Sequence, residues 1–180
     1  MTKLNSSGNL VWAKKIGNAN SESVNDVVVD ASGNFYITGE YTGTVDFDPG
    51  AGISNLVSVS TSRDVFIAKY DATGSLLWAK SMGGANVDIG QELALDPSNN
   101  LYVAGTYSGT VDFDPSASTR TLTVYGGSGD LFVGKYDSNG TYQWAWGIGG
   151  NGSEEATGIK YNSTSGFVYL TGTFTGTNTN

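Results

Sequence analysis

The chain of 180 residues contains no cysteine and no histidine. It can therefore form no disulfide bond, no thiol or imidazole catalyst, and no zinc site built from Cys and His side chains. A serine nucleophile would have no histidine to activate it. Because the commonest nucleophile–base pairs are excluded, the sequence predicts a protein that is not an enzyme.

Positive charge and long apolar runs are also scarce. Lysine and arginine number 9 against 17 aspartates and glutamates, which gives a net charge of −8. An acidic chain repels phosphate backbones, so we expect no nucleic-acid partner. No apolar run approaches the roughly 18 residues that a membrane-spanning helix needs, so we expect no membrane insertion. The first residues also lack the apolar segment of a signal peptide.

Glycine and aromatic residues are abundant. There are 26 glycines together with 4 tryptophans, 10 tyrosines and 7 phenylalanines, but only 3 prolines. Aromatic and β-branched residues interrupted by glycine are typical of short strands joined by tight turns. No segment shows helical periodicity, so the composition and pattern predict an all-β fold.

The sequence repeats itself at a step of 66 residues. Residues 8–73 and 74–139 align without gaps and share 29 of 66 positions, or 44%. Trp12, Trp78 and Trp144 follow this step, and the third unit gains one residue near position 164. Self-similarity of this length indicates a repeat architecture.

Each repeat contains four candidate strands. In the first complete unit they are predicted at residues 25–30, 34–41, 64–71 and 76–82. Four antiparallel strands per repeat, with neighbouring sheets stacked against one another, describe the blades of a β-propeller. The period exceeds the roughly 40–50 residues of common propeller repeats. The excess falls at residues 44–63, where we expect longer strands or an insert at one rim.

The predicted blades do not complete a ring. We assign residues 1–17 to the outer strand of a preceding blade, 18–83 and 84–149 to two blades, and 150–180 to the first half of another. This is an incomplete array of about 2.7 blades, whereas natural propellers have about 4–8. We therefore expect a fragment of a longer chain, or a chain that associates with protein partners or with other copies of itself.

Three runs of residues resemble a known family. Residues 8–14, 29–39 and 64–71 are similar to the SBBP (seven-bladed β-propeller) repeats of bacterial surface and secreted proteins. The resemblance covers nearly the whole chain and implies a propeller fold. It also implies an extracellular or cell-surface location.

Two pairs of aspartates form a candidate metal site. Asp46 and Asp48 recur as Asp112 and Asp114. Carboxylates two residues apart on a strand project from one face, roughly 7 Å apart, and oxygen ligands of this kind suit calcium. The alternative is structural, because an aspartate before proline favours an Asx turn. Asp64 and Asp130 could add further oxygen ligands. Calcium is the one cofactor that the sequence suggests.

The tryptophans and one acidic pair are further candidates. Trp12, Trp78 and Trp144 are predicted to form the core between blades, with a sugar-stacking platform as the alternative. Trp146 has no counterpart in the other repeats, so we expect it to be exposed or at an interface. Residues 154 and 155 are adjacent glutamates that we assign to a solvated loop.

The sequence thus predicts a non-enzymatic, extracellular scaffold for protein interactions, in which variable connections at the rim present the contacts. Two alternatives belong to other functional classes. One is a carbohydrate-binding, lectin-like module with a glycan ligand, and the other is a self-associating subunit of a surface structure or fibre.

Overall fold

The computed structural model describes residues 1–17 and 22–175 of the chain. The structure is all-β, and the described part contains one short 3-10 turn, Val59–Thr61. The predicted blade start at residue 18 and the end of the predicted half blade at residues 176–180 lie outside the described residues. The strands are, in chain order, β1 (Thr2–Leu4), β2 (Leu10–Ala13), β3 (Glu22–Val29), β4 (Phe35–Thr42), β5 (Thr44–Asp46), β6 (Asn55–Val57), β7 (Arg63–Tyr70), β8 (Leu76–Gly84), β9 (Ile89–Leu95), β10 (Leu101–Tyr107), β11 (Thr110–Asp112), β12 (Thr121–Thr123), β13 (Asp130–Tyr136), β14 (Tyr142–Ile148), β15 (Glu154–Tyr161) and β16 (Val168–Phe174).

Two complete four-stranded blades lie at the centre. Blade A is formed by β3, β4, β7 and β8, and blade B by β9, β10, β13 and β14, with every neighbouring pair antiparallel. Their registers are equivalent, since Tyr36 pairs with Lys69 in blade A and Tyr102 with Lys135 in blade B. The all-β fold of partial propeller blades is therefore confirmed.

Half blades flank the two complete ones. The C-terminal hairpin of β15 and β16 supplies the first and second strands of a blade, as expected from the repeat. The N-terminal hairpin of β1 and β2 contains two strands where the sequence predicted one. The additional strand, Thr2–Leu4, corresponds to the last residues of the third strand of a complete blade. Its three residues are too few for an alternating pattern to be recognised.

The long connection of each repeat folds into a small rim hairpin. These rim hairpins are β5–β6 in the first repeat and β11–β12 in the second. In the second repeat, β11 also pairs with β8, with Val111 opposite Gly84. The long connection therefore forms an insert at the rim, and in the second repeat this hairpin adds strands to the sheet of the preceding blade.

Apolar side chains fill the space between the stacked sheets. A core cluster joins the two complete blades, and the N-terminal and C-terminal hairpins each help to enclose another cluster. Large buried members of the central cluster include Tyr36 and Ile67 from blade A and Phe132 and Tyr136 from blade B. Because both faces of a blade are apolar, each blade needs a neighbour on either side.

Close packing between blades makes one turn glycine sensitive to substitution. Gly140 has a φ of +75°, and a Cβ there would lie 3.2 Å from the Trp78 indole. Gly33 has a φ of +82°, but its Cβ would meet Ala72 at an ordinary 3.4 Å. We expect Gly33→Ala to lower the free energy of unfolding by about 1–2 kcal/mol through backbone strain. Gly140→Ala should lose about 1 kcal/mol more, because the indole must also move. Equal losses in urea titrations would contradict this packing.

Candidate functional site

A pair of donors connects each blade to the turn of the next. Lys69 Nζ and Trp78 Nε1 of blade A both donate to the main-chain oxygen of Ser138, at 3.3 and 3.2 Å. Ser138 lies in the turn between β13 and β14 of blade B. The Lys69 ammonium also lies 4.7 Å from the centre of the Tyr36 ring. A desolvated cation over an aromatic face is stabilised by the ring quadrupole.

The same arrangement recurs one repeat earlier. Lys3 Nζ and Trp12 Nε1 donate to the main-chain oxygen of Ala72, at 3.0 and 3.4 Å. The contact of the lysine with the tyrosine ring recurs one repeat later, where Lys135 Nζ lies 5.1 Å from the ring centre of Tyr102. These contacts hold Trp12 and Trp78 partly buried at a junction, each with its indole N–H bonded. Trp144 is also partly buried.

The candidate calcium ligands lie in the first rim hairpin. Asp46 Oδ1 accepts hydrogen bonds from the main-chain N–H of Asp48 and of Ser54, at 3.0 and 2.8 Å. Asp48 Oδ1 accepts one from Gly50 N–H at 2.8 Å. These are the local bonds of Asx turns, in which a carboxylate satisfies donors of its own loop.

The second rim hairpin repeats this geometry. Asp112 Oδ1 accepts from Asp114 N–H at 3.1 Å and from Arg120 N–H at 2.8 Å. Asp114 Oδ1 accepts from Ser116 N–H at 3.0 Å. Among residues 1–17 and 22–175, no group of three or more acidic side chains is placed to hold a metal ion. The structure gives these aspartates a role in shaping the hairpins, and calcium binding stays a prediction.

A buried pair of carboxylates lies between blades A and B. Asp64, at the start of the third strand of blade A, accepts a bond from Val59 N–H, while its other oxygen is buried without a partner. Asp88 accepts bonds from Gly84 N–H and Ser108 N–H. Burial raises the pKa of Asp64 to about 6 and that of Asp88 to about 7, where the Asp64 charge adds to the effect.

An equivalent pair lies between blade B and the C-terminal hairpin. Asp130 accepts from Tyr125 N–H, and its second oxygen is buried close to the Glu154 carboxyl group, which also lies near Gly150 N–H. Burial, followed by the Asp130 charge, raises the pKa of Glu154. The assignment of Glu154 to a solvated loop was therefore wrong, because it begins β15 and is fully buried. Its neighbour Glu155 is exposed and accepts a bond from Gln91.

Sequence reasoning considered Asp64 and Asp130 only as additional calcium ligands and missed their pairing with Asp88 and Glu154, although a signal was present. Asp64 and Asp130 are separated by 66 residues, and so are Glu22, Asp88 and Glu154. An acidic residue that recurs at the start of equivalent strands occupies an equivalent environment in each repeat. Burial itself depends on the neighbouring blade, and strand patterns do not report it.

Trp146 is 68% exposed, whereas Trp12, Trp78 and Trp144 are partly buried. It borders an open groove of about 430 Å³ between blade B and the C-terminal hairpin. The groove is lined by Val133, Trp144, Trp146, Ile148, Val168 and Leu170. The structure thus places Trp146 on an accessible apolar surface. Its role in binding stays a prediction.

Comparisons with known proteins find repeat-containing relatives. No known family profile matches the chain. The chain is 27% identical over 157 residues, 75% of its length, to the "Uncharacterized WD repeat-containing protein L264" of Acanthamoeba polyphaga mimivirus. It is 31% identical over 159 residues, 83% of its length, to the "Regulatory protein FlaEY" of Caulobacter vibrioides (strain ATCC 19089 / CIP 103742 / CB 15).

The chain spans 11% of the first relative's length and 15% of the second's. These similarities agree with the blades seen in the structure and support a repeat protein of propeller-like type. In the described part of the chain, no helix is long and apolar enough to cross a membrane.

The buried carboxylates should make stability depend on pH. The folded pKa values of Asp64 and Asp88 exceed the roughly 3.9 of an unfolded aspartate, so the folded state binds more protons between about pH 4 and 7 and becomes less stable as the pH rises. Asp64→Asn keeps an oxygen for Val59 N–H and removes one charge. We expect it to raise the free energy of unfolding at pH 8 by about 1–3 kcal/mol and to flatten its decline below pH 7. Urea titrations at several pH values measure this, with Asp114→Asn as control. An unchanged slope would contradict the assignment.

The Asx turns predict how the first rim hairpin responds to substitution. Asp46→Ala leaves two main-chain donors without an acceptor and should lower the free energy of unfolding by about 1–3 kcal/mol. Asp46→Asn retains one oxygen and should lose less than half of that. Melting curves with and without calcium also test the metal prediction. A calcium-dependent rise in Tm that Asp48→Asn abolishes would support the site, and an unchanged Tm would refute it.

Proposed function

We propose that this chain is a non-enzymatic scaffold for protein interactions, built from propeller repeats of the SBBP type and acting at the cell surface or outside the cell. The observation on which the proposal rests is that the two rim hairpins share one frame but present different side chains. The names of the two relatives, one a repeat-containing protein and one a regulatory protein, support a scaffold rather than an enzyme.

The shared frame lies on the buried side of the hairpins. Phe47 and Phe113 are fully buried at equivalent positions. Tyr70 Oη donates to the main-chain oxygen of Phe47, and Tyr136 Oη to that of Phe113, both at 2.9 Å. Each hairpin is therefore fixed to its own blade by the same ring and hydrogen bond, which makes it a rigid support for the residues on its outer side.

The outer sides differ in chemistry. Ile53 and Val57 of the first hairpin are exposed, and the equivalent positions of the second are occupied by Thr119 and Thr123. Tyr125 follows the second hairpin and is also exposed. Apolar side chains held on a rigid support suit the centre of a protein interface. Divergence between repeats favours distinct protein contacts over two copies of one small-ligand site.

Capture of protein partners tests the proposal. The chain, immobilised at low density, is exposed to surface and secreted fractions of the source organism. We expect a discrete partner whose binding to the double variant Ile53→Asp, Val57→Asp is at least about tenfold weaker, because charge replaces the apolar contact. The matched control, Thr119→Asp with Thr123→Asp, should retain binding. Failure of the wild-type chain to capture any protein would overturn the proposal.

A carbohydrate-binding function is the second candidate, and the exposed indole of Trp146 favours it. Sugar rings stack on exposed aromatic faces, and Trp144 borders the same groove. A glycan array tests this function directly. Binding that Trp146→Ala abolishes would favour the lectin-like module, and an array without signal would refute it.

A further inference from the structure

The first rim hairpin presents a line of side chains that point away from its blade. Exposed residues alternate with covered ones along β6 and the residues on either side of it. Ile53, Val57 and Val59 are 79%, 64% and 45% exposed, whereas Ser58 is buried. Alternate residues of an extended chain share a face, so the exposed set forms one line with neighbours roughly 7 Å apart. We call this set the outward stripe: Ile53, Asn55, Val57 and Val59.

The equivalent stripe of the second rim hairpin differs in its side chains but not in its exposure. All of its members are exposed, and they are Thr119, Thr121, Thr123 and Tyr125. The first hairpin has a complete repeat after it in the chain, and the second has one before it. The outward face is open in both situations. Its exposure is therefore a property of the repeat and does not depend on where the sequence begins or ends.

Two carboxylates flank the most exposed member of the outward stripe. Asp48 lies against Gly52, since a Cβ on that glycine would overlap the carboxylate. Asp46 Oδ1 accepts a hydrogen bond from Ser54 N–H at 2.8 Å. Ile53 therefore lies between a residue that contacts one carboxylate and a residue that is bonded to the other.

The first rim hairpin supplies no cation for these carboxylates. Residues 41–62 contain no lysine and no arginine. Arg63 follows them, but its guanidinium lies beside Glu40, with Nη1 and Oε1 3.9 Å apart. An acidic surface with exposed apolar side chains is complementary to a partner that carries positive charge and apolar groups together.

The second rim hairpin shows which cation this position accepts. Arg120 occupies the place of Ser54, and its Nη1 donates to the main-chain oxygen of Thr119 at 2.9 Å. Thr119 is the equivalent of Ile53. The second hairpin thus has a guanidinium of its own beside its stripe, whereas the first hairpin has a serine there.

A strained segment follows the outward stripe. Ser60 and Thr61 come directly after Val59, are exposed, and have φ values of +52° and +58°. This left-handed conformation is unfavourable for residues other than glycine, and most of all for a β-branched one. The equivalent residues of the second repeat are Gly126 and Gly127. Serine and threonine at positions where glycine would be unstrained indicate that their side chains have a use on this surface.

We propose that the outward stripe binds a segment of a partner protein in which an arginine lies next to apolar side chains. This inference rests on the proposed scaffold function and names the chemistry of one partner. The apolar side chains of the partner cover Ile53 and Val57. Its guanidinium takes the place that Arg120 has in the second hairpin, beside Asp46 and Asp48. Arginine suits this place because its planar group forms paired hydrogen bonds with carboxylates and stays charged.

Short synthetic peptides test this chemistry without a known partner. Each peptide has a leucine on either side of one variable residue, which is arginine, glutamine or glutamate. Chemical shifts of the isotope-labelled chain in calcium-free buffer report weak binding and its location. The arginine peptide should shift the amides of residues 53–61 and bind at least about tenfold more tightly than the glutamine peptide. The glutamate peptide should not bind. Equal affinities of the arginine and glutamine peptides, or shifts located elsewhere, would overturn the proposal.

Exchange of residues between the two hairpins tests the site. Ser54→Arg places a guanidinium of the chain itself beside the stripe, and it should weaken binding of the arginine peptide at least about tenfold. The second hairpin already holds arginine at this position, so the variant should fold, which circular dichroism checks. Ser54→Gln, long but uncharged, is the matched control and should retain binding. Ile53→Thr with Val57→Thr should also weaken binding, since apolar contact is lost. Unchanged binding in both the arginine and the threonine variants would overturn the proposal.

Transfer of the stripe to the second hairpin provides a test by gain of binding. The triple variant Thr119→Ile, Arg120→Ser, Thr123→Val reproduces the first stripe on the second frame. Titration with the arginine peptide should then reveal a second site, with shifts at the amides of residues 119–127. Absence of a second site in the folded variant would overturn the assignment to these residues.

A captured partner separates failure of this inference from failure of the scaffold function. A partner whose binding is weakened by Ile53→Asp with Val57→Asp, by Ser54→Arg and by added salt supports both. Binding that the aspartate variant weakens but that neither Ser54→Arg nor salt changes would overturn the arginine proposal and leave the scaffold function standing. Failure to capture any protein would overturn the scaffold function itself.

Discussion

Apolar packing on both faces of a small twisted sheet is the constraint on which this structure depends. A blade of four strands has no interior of its own, so it becomes stable only between two other sheets. Tyr36, Ile67 and Phe132 are buried because blades A and B enclose them together. The repeat of 66 residues reproduces the same junction along the chain. The lysine, tryptophan and turn oxygen that connect the blades add directional bonds to this packing and fix how far one sheet lies from the next.

The same constraint explains the buried acids. Asp64 and Asp130 start equivalent strands at equivalent junctions, and stacking of the next sheet removes them from water. Each acid satisfies a main-chain donor before the third strand, which fixes the connection that leads from the rim hairpin. The cost is a carboxylate with an unpartnered oxygen and a neighbouring acid. The buried acids therefore lower the stability of the junctions at neutral pH, while their hydrogen bonds fix the path of the chain there.

The sequence predicts the blade strands well because the repeat shows the same alternation more than once. The strand predicted at residues 34–41 is observed at Phe35–Thr42, whereas Thr2–Leu4 was too short to recognise. The turn bonds of Asp46 could be established only from the directions of the main-chain donors around it. The burial of Glu154 was missed because it depends on the facing blade rather than on its own strand. Patterns along one chain report which face is apolar, but they do not report what covers it.

Amide hydrogen exchange tests most directly whether each sheet needs a neighbour on both faces. The amides of Leu101–Tyr107, whose strand lies between two paired strands and between stacked sheets, should be strongly protected. Those of Val168–Phe174, whose strand pairs on one side within residues 1–17 and 22–175, should exchange much faster. Protection of the second strand equal to that of the first would contradict the account.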